Sequence, residues 1–463
     1  MRSVAISAVA GASINSIGVR ELQVAYATGE VTPHEVIDGV LERIAARGAD
    51  AVWISRVSDG ELRRCATDLE LLGGPQNAAR LPLFGIPFAV KDNIDVAGLP
   101  TTAACPAFAY RPGRSAASVQ RLVDAGAIVI GKTNMDQFAT GLTGTRSPYG
   151  SCESVFGGGL ISGGSSSGST VAVAAGLVSF SLGTDTAGSG RVPAAMNGIV
   201  GCKPTRGLVS AAGVVPACRS LDCVSVFTAD CPDAVTVLEV LAGHDPSDPW
   251  SRRAPLIEPI PPTDRVRIAL PAPDELDFAG DHGMRAAFEF AVARTALAAG
   301  TARTTIAPLL EAGQLLYHGP WLAERLCELQ EFFAGHRDDV LPITREVIEG
   351  GGRFSAVDTF NAAHHLKELE RWAEHLWQRA DLLIMPTVPT TFTIAQITEQ
   401  PIARNAVLGR FTQFVNLLDM AAVTVPTGRT ADGRPASVTL IGPAFSDQLL
   451  LSVAAGLDQR QEA

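Results

Sequence analysis

Residues 163–193 constrain this chain more than any other stretch. They read Gly-Gly-Ser-Ser-Ser-Gly-Ser-Thr from Gly163, then an apolar run Val171–Leu177, then Gly-Thr-Asp-Thr-Ala-Gly-Ser-Gly-Arg-Val-Pro from Gly183. The pattern predicts two Gly/Ser-rich loops joined by a helix and a short strand. Glycine tolerates positive φ, so backbone N–H groups can crowd together in unusual directions. A serine hydroxyl is a weak nucleophile until a base sits beside it. Clustered N–H donors next to an activated serine supply what acyl transfer needs, a nucleophile and a site for the oxyanion. Most Gly/Ser loops are only turns. Both of these abut apolar segments, which predicts that they are buried.

A second constraint lies upstream. The apolar strand-like run 83–90 delivers Lys91-Asp92-Asn93. An unpaired ammonium is costly to bury, and a lysine so placed lowers its pKa and becomes a general base. The competing reading of Lys91 alone is a Lys–Asp surface turn. Two motif matches mislead. Gly126-Ala-Ile-Val-Ile-Gly131-Lys132-Thr133 fits the phosphate-loop pattern, but a helix precedes it and its middle four residues are strand-like, so no nucleotide is expected. Gly164–Gly168 fits G-x-S-x-G around Ser166. That elbow would recruit a later Asp and one of the histidines 244, 282, 318, 336, 364, 365 or 375, and would leave Lys91 and Ser189 without a part. His364-His365 falls on an amphipathic helix and reads as surface or packing. No H-E-x-x-H or other metal spacing is present, and no metal or organic cofactor is expected.

Taken in order, 16–50 and 59–73 read as helices, with Thr32-Pro33 as an N-cap followed by Pro at the first helical position and Gly73-Gly74-Pro75 as a stop. A helix over 115–125 precedes a strand over 127–130. Turn-rich segments run from Gly198 to Cys223, a helix covers 233–243, and Pro-rich 255–263 marks a boundary. A strand at 266–270 and a helix over 284–300 form an α/β unit. Residues 305–380 are mostly helical, with one helix starting at Pro320. Late strands fall at 382–385, within 416–425 and at 436–441. Alternating helices and apolar strands indicate an α/β fold with a mixed sheet. With 46% hydrophobic and 18% charged residues, a sizeable core is expected and disorder is not. A net charge of −11 disfavours a nucleic-acid partner, and no apolar run reaches the roughly 18–20 residues that span a bilayer. The eight cysteines form no Cys-x-x-Cys and read as reduced thiols of a cytoplasmic protein. The start, Met1–Ala12, faintly resembles a signal peptide, but its apolar part is short and broken by Ser.

At Lys91, Gly163–Ser169 and Gly183–Pro193 the chain resembles the amidase signature family, over about residues 20–445. The shared motifs are Gly-Gly-Ser-Ser, two serines 24 positions apart (165 and 189), and Arg-x-Pro-Ala. The resemblance implies the amidase-signature α/β fold, a large central mixed β-sheet flanked by helices, with a mostly helical insertion around 305–380. It implies a Ser–cis-Ser–Lys triad with Ser189 as nucleophile, Ser165 as relay beside a cis peptide bond, and Lys91 as base. The N–H groups of Thr186, Ala187, Gly188 and Ser189 would form the oxyanion hole. Most members have Gly at position 187, and Ala there keeps the N–H.

Within the family the chain is similar to allophanate hydrolases, through 134–142, 144–148, 163–169, 186–193 and 216–223. Tyr317 and Arg325 match the pair that grips the substrate carboxylate, a task that suits a guanidinium. The competing reading of Arg325 is a surface salt bridge to Glu324 or Glu328. The resemblance thus implies a cytoplasmic homodimer that hydrolyses the terminal amide of allophanate to ammonia and N-carboxycarbamate through a seryl acyl-enzyme. No cofactor, nucleic acid or membrane is involved. Alternatives are an amidase of broader or other small-amide specificity, the amidase subunit of a tRNA-dependent amidotransferase, and a catalytically silent scaffold, which the intact Lys and both Ser argue against. The expected organisation is one amidase domain, 1–445: an N-terminal helical segment 16–73, a catalytic core 80–250, a substrate-side helical region 273–380 and late strands 381–445. A C-terminal helix and tail, 446–463, follow. The family's usual second C-terminal domain, linked to decarboxylation of the first product, is expected to be absent, since the chain ends at Ala463.

Overall fold

The structure, a computed structural model, describes residues 17–72, 80–255, 265–296 and 300–458. The signal-like start, the Gly73-Gly74-Pro75 stop, residues 256–263 of the Pro-rich boundary and the last five residues lie outside them.

Eleven strands among the described residues build one sheet. They are β1 (Trp53–Arg56), β2 (Pro87–Lys91), β3 (Ile128–Thr133), β4 (Phe180–Asp185), β5 (Val200–Lys203), β6 (Cys223–Thr228), β7 (Ile268–Pro271), β8 (Thr301–Thr304), β9 (Leu382–Pro386), β10 (Met420–Arg429) and β11 (Pro435–Pro443). Their order is β1-β3-β2-β4-β6-β5-β10-β11-β9-β7-β8. The trio β3-β2-β4 and the trio β9-β7-β8 are parallel, and the other pairs are antiparallel, so the sheet is mixed. The mixed α/β architecture expected from the sequence is present. Parallel strands are covered on both faces, and β2 and β4 are buried along their whole length. Helices from Ala307–Tyr317 to Ala356–Arg379 make up the helical insertion.

Local chemistry accounts for the element boundaries. Thr32 accepts the N–H of Glu35 while Glu35 returns a bond to the Thr32 N–H, so the helix Pro33–Arg47 starts on a capping box with Pro at its first turn. Its buried face is Val36, Ile37, Val40, Leu41 and Ile44. The helix Ser167–Ala174 is buried on every side, as only a helix of small or apolar residues at the molecule's centre can be.

The structure adds strands to segments that read as turns. β5 and the start of β6 lie in or at the edge of the Gly198–Cys223 stretch, and β1 separates the first helices. Each is short and gains its stability from sheet neighbours, which local pattern does not reveal. The 16–50 segment is two helices, Val19–Thr28 and Pro33–Arg47, divided by left-handed Gly29.

Phe88 of β2 and Phe180 of β4 are paired across the parallel ladder, fully buried, and stacked with ring centroids 5.0 Å apart. Phe180→Ala empties that layer and is expected to cost about 3–5 kcal/mol, read as a lower denaturation midpoint with an unchanged slope.

Candidate active site

The carboxyl ends of β2 and β4 meet the start of the helix Ser167–Ala174, the edge at which open α/β sheets place ligands. Lys91 ends β2 and is fully buried. Its Nζ lies 2.8 Å from Ser165 Oγ and 2.8 Å from Thr184 Oγ1. Lys91 makes no ion pair with a carboxylate. Burial pushes its pKa down to about 7, against the pull of the Asp136, Asp222 and Asp185 carboxylates, and Arg325 adds to the downward push. Lys91 is therefore an interior amine among hydroxyls, and the surface-turn reading falls.

Ser165 follows a cis Gly164–Ser165 peptide bond. Gly164 is required by close approach: a Cβ there would lie 2.1 Å from Asp136 Oδ2 and 2.6 Å from the Gly144 nitrogen. Asp136 accepts the N–H groups of Thr143, Gly144 and Arg146 (3.2, 3.1 and 2.8 Å), and its own N–H donates to Ser165 O at 3.1 Å. Ser166, the centre of the elbow motif, is committed elsewhere. Its Oγ donates to Thr184 O at 3.2 Å and accepts the Thr184 N–H at 3.4 Å. Lys132 of the phosphate-loop match lies inside β3, fully buried, 3.4 Å from Asp92 Oδ1. No helix follows it to present N–H groups to a phosphate.

Ser189 lies in the loop between β4 and the helix Val192–Asn197, and is 3% exposed. That loop is held by a buried ion pair. Arg191 Nε and Nη2 donate to Asp185 Oδ2 and Oδ1, each at 2.9 Å. Arg191 also donates to Thr412 O and Asn416 Oδ1 (3.0 and 3.1 Å). Burial alone would raise the Asp185 carboxyl, but Arg191 and the surrounding donors outweigh it and hold the pKa below the usual range.

One expected oxyanion donor is corrected here. The Gly188 N–H donates to Asp185 Oδ1 at 2.8 Å and is therefore committed. The N–H groups of Thr186, Ala187 and Ser189, and Ser189 Oγ, have no hydrogen-bond partner within the described residues. Three donors thus stand ready beside a hydroxyl. Ala187 keeps its orientation because Thr412 Oγ1 donates to its carbonyl at 2.7 Å.

Arg325, on the helix Trp321–His336, is 2% exposed. It forms no salt bridge: Glu328 pairs with Arg219, and Glu324 accepts from Ser220. Its Nη1 donates to Thr140 Oγ1 at 2.8 Å and to the carbonyls of Ala139 and Phe138 (3.3 and 3.5 Å). Phe138 and Ala139 both have left-handed backbone (φ 51° and 53°), uncommon outside glycine. The Tyr317 hydroxyl makes no hydrogen bond within the described residues. Burial pushes its pKa up, while Arg325 and Arg146 pull it down.

Arg146 is a second guanidinium that sequence reasoning did not single out. Among the described residues its buried guanidinium forms no ion pair, donates only to the carbonyls of Thr140 and Pro401 (3.0 and 3.1 Å), and leaves Nε without an acceptor. A cleft of about 570 Å³ reaches Tyr317 and Arg146 from outside, bordered by His318, Arg353 and Gln413. Thr184 and Asp222 also escaped notice, although both lie inside the motif stretches. Among the described residues no group of three or more His, Cys, Asp or Glu gathers as a metal site, and no helix is long and apolar enough to cross a membrane.

Comparisons with known proteins bear on the family of this chain. The family described as amidase matches residues 35–451. Urea amidolyase of Saccharomyces cerevisiae is 42% identical over 423 residues, which are 90% of this chain and 23% of that protein. The chain thus spans about a quarter of the length of that relative. A glutamyl-tRNA(Gln) amidotransferase subunit of Natronomonas pharaonis is 33% identical over 81% of this chain and 96% of its own. Among solved structures, Kluyveromyces lactis allophanate hydrolase superimposes with a TM-score of 0.89 at 40% identity, over 96% of this chain and 72% of that one.

Arg191→Met removes one partner of a fully buried pair and leaves Asp185 uncompensated. The expected loss is about 3–5 kcal/mol of stability, measured by chemical denaturation. An unchanged midpoint would remove this pair from the support of the Ser189 loop.

Proposed function

The chain belongs to the amidase family, and from that premise we propose that it hydrolyses the terminal amide of allophanate. The observation that carries the reading is the buried Lys91 amine, 2.8 Å from the Ser165 hydroxyl. An amine with a pKa near 7 is neutral often enough at neutral pH to take a proton, and is matched to that task.

In this reading the substrate carboxylate docks on Arg325 and Tyr317. Ser165 passes its proton to Lys91 while accepting the proton of Ser189. Ser189 Oγ attacks the terminal amide carbon. The oxyanion rests on the N–H groups of Thr186, Ala187 and Ser189, and such donors are each worth a factor of about 10²–10³ in rate. The proton held at Lys91 returns through Ser165 to the leaving nitrogen, and ammonia departs. Water, deprotonated through the same relay, then cleaves the acyl-enzyme to N-carboxycarbamate, which loses carbon dioxide. Two features support an anionic substrate: Arg325 and Arg146 are both buried, and neither has an ion-pair partner. The likeness to K. lactis allophanate hydrolase, whose name states its activity, supports the choice of substrate.

A second reading is the amidase subunit of a tRNA-dependent amidotransferase, favoured by the 33% identity to the N. pharaonis amidotransferase protein along most of its length. The proposal also includes a homodimer, to be checked by light scattering, and a cytoplasmic location, which the free state of all eight cysteines supports.

Ammonia release from allophanate by the purified chain tests the substrate. Turnover only of glutamine, with partner proteins present, would favour the second reading. Ser189→Ala and Lys91→Ala are each expected to lower kcat by at least about 10³-fold, and near-normal turnover in either would end the triad. Arg325→Lys loses the fork geometry and is expected to raise KM about tenfold or more. Because Lys91 must be neutral to act, kcat/KM is expected to rise with pH through about 7, and a profile flat from acid through neutral pH would contradict the role.

A further inference from the structure

Asp222 takes no part in the scheme above, yet it touches both halves of the site. Its Oδ1 accepts the Thr186 hydroxyl and, at 3.3 Å, the Cys218 N–H, while Oδ2 accepts the Ala217 N–H at 2.7 Å. Thr186 begins the loop that carries the three unpartnered N–H donors. On its other side, the turn 217–222 is the surface on which the Arg325 helix rests. Cys218 Sγ donates to Trp321 O at 3.6 Å. The Ser220 N–H and hydroxyl donate to the two Glu324 carboxylate oxygens, each at 2.7 Å. Arg219 forks onto Glu328 at 2.8 and 2.7 Å. One half-buried carboxylate therefore joins the loop of residues 186–189 to the helix that holds Arg325.

We propose that Asp222 is a positioning residue that fixes the spacing between the Arg325 guanidinium and the oxyanion donors. The inference rests on the serine-amidase reading. A substrate as short as allophanate must reach from the guanidinium to the donors at once. A misplacement of about 1 Å in such an arrangement costs on the order of 10²-fold in rate.

The same carboxylate also bears on Lys91 through its charge. The groups acting on Lys91 are the carboxylates of Asp136, Asp222 and Asp185, which favour its ammonium, and Arg325, which opposes it. Asp185 is paired with Arg191, and Asp136, the strongest of the three on Lys91, accepts three backbone N–H groups. Among the described residues Asp222 has no ion-pair partner; its oxygens accept the Thr186 hydroxyl and the two N–H groups, and Arg325 lies further off. Burial outweighs these donors and pushes its own pKa up to about 6, so it is largely charged at the pH where Lys91 titrates.

Asp222→Asn keeps the shape and removes the charge. Ammonia release from allophanate as a function of pH is expected to show kcat lowered on the order of 10–100-fold, with a smaller change in KM. The ascending limb assigned to Lys91 is expected at lower pH, because the ammonium has lost a stabilising charge. Thr186→Val removes the hydroxyl contact but keeps the carboxylate, so kcat falls while the limb stays in place. The double variant is expected to be no slower than Asp222→Asn alone, since both changes cut the same link. Thr186→Val with wild-type kcat, Asp222→Asn with wild-type kcat, or additive losses in the pair would each overturn the proposal. If Asp222→Asn does not fold, the kcat of Thr186→Val decides alone. A wild-type chain that releases no ammonia from allophanate overturns the reading on which the proposal rests, a result distinct from any of these.

Discussion

An ammonium group surrounded by protein and offered only hydroxyls is poorly solvated, and the site is built on that imbalance. The sheet contains an internal comparison. Lys91 and Lys132 occupy neighbouring strands, both fully buried. Lys132 lies 3.4 Å from the Asp92 carboxylate and donates to Thr101 Oγ1 at 3.1 Å. Lys91, paired in register one residue further along the same ladder, meets Ser165 and Thr184 instead. The same residue type in the same sheet thus becomes half of a structural ion pair in one place and a weakly basic amine in the other. The difference is set by which side chain the adjacent segment delivers. A carboxylate in hydrogen-bond contact with Lys91 would restore its ammonium and remove its basicity. The nearest acidic groups instead act from a distance, with their oxygens occupied by N–H and hydroxyl donors.

Delivering hydroxyls that close requires backbone without side chains. Gly164 lets the Asp136 carboxylate lie against the segment that carries Ser165. Gly183 lets β4 pass Ser166 and Phe227, whose atoms would be 2.7 and 2.5 Å from a Cβ there. The helix Ser167–Ala174 can then sit against β4 and bring its preceding turn over Lys91. Several of the glycines that made the stretch 163–193 conspicuous therefore act through packing as much as through flexibility. The rigidity comes from charge: the Asp185–Arg191 pair fixes the loop around Ser189, and the same pair uses the Gly188 N–H.

The residues that act at short sequence range were legible in the chain. Lys91 at the end of an apolar run and two serines on Gly-rich loops joined by a helix and a strand follow from local pattern, and the structure has that form. The helix starts at Pro33 and next to Pro320 were legible for the same reason, since a cap is a local event. What pattern could not show depends on which distant segments meet. β1 and β5 are four residues each and are defined by their neighbours. The Gly188 N–H looked like an oxyanion donor because nothing in the sequence says that the Asp185 carboxylate turns back to accept it. Arg325 was ambiguous with acidic residues on either side of it in the chain. Only the packing of its helix shows that Glu324 and Glu328 face the 217–222 turn while the guanidinium points inward. Arg146 and Thr184 were passed over because each was read as part of a motif string and not as a side chain with a partner to find.

The two ends of the site are also electrically linked. Arg325 pushes the Lys91 pKa downward, so the amine is less basic than it would be without that guanidinium. An anion bound to that guanidinium would screen its charge. The amine would then gain proton affinity at the moment a hydroxyl proton must move. In an arrangement of this kind the binding of the carboxylate end does more than orient the amide. It strengthens the base at the other end of the same small molecule, by electrostatics alone and with no change of shape. A neutral amide of equal size would bind without that gain. Discrimination against it would therefore appear in the chemical step as well as in affinity, which is where selective binding contributes to rate.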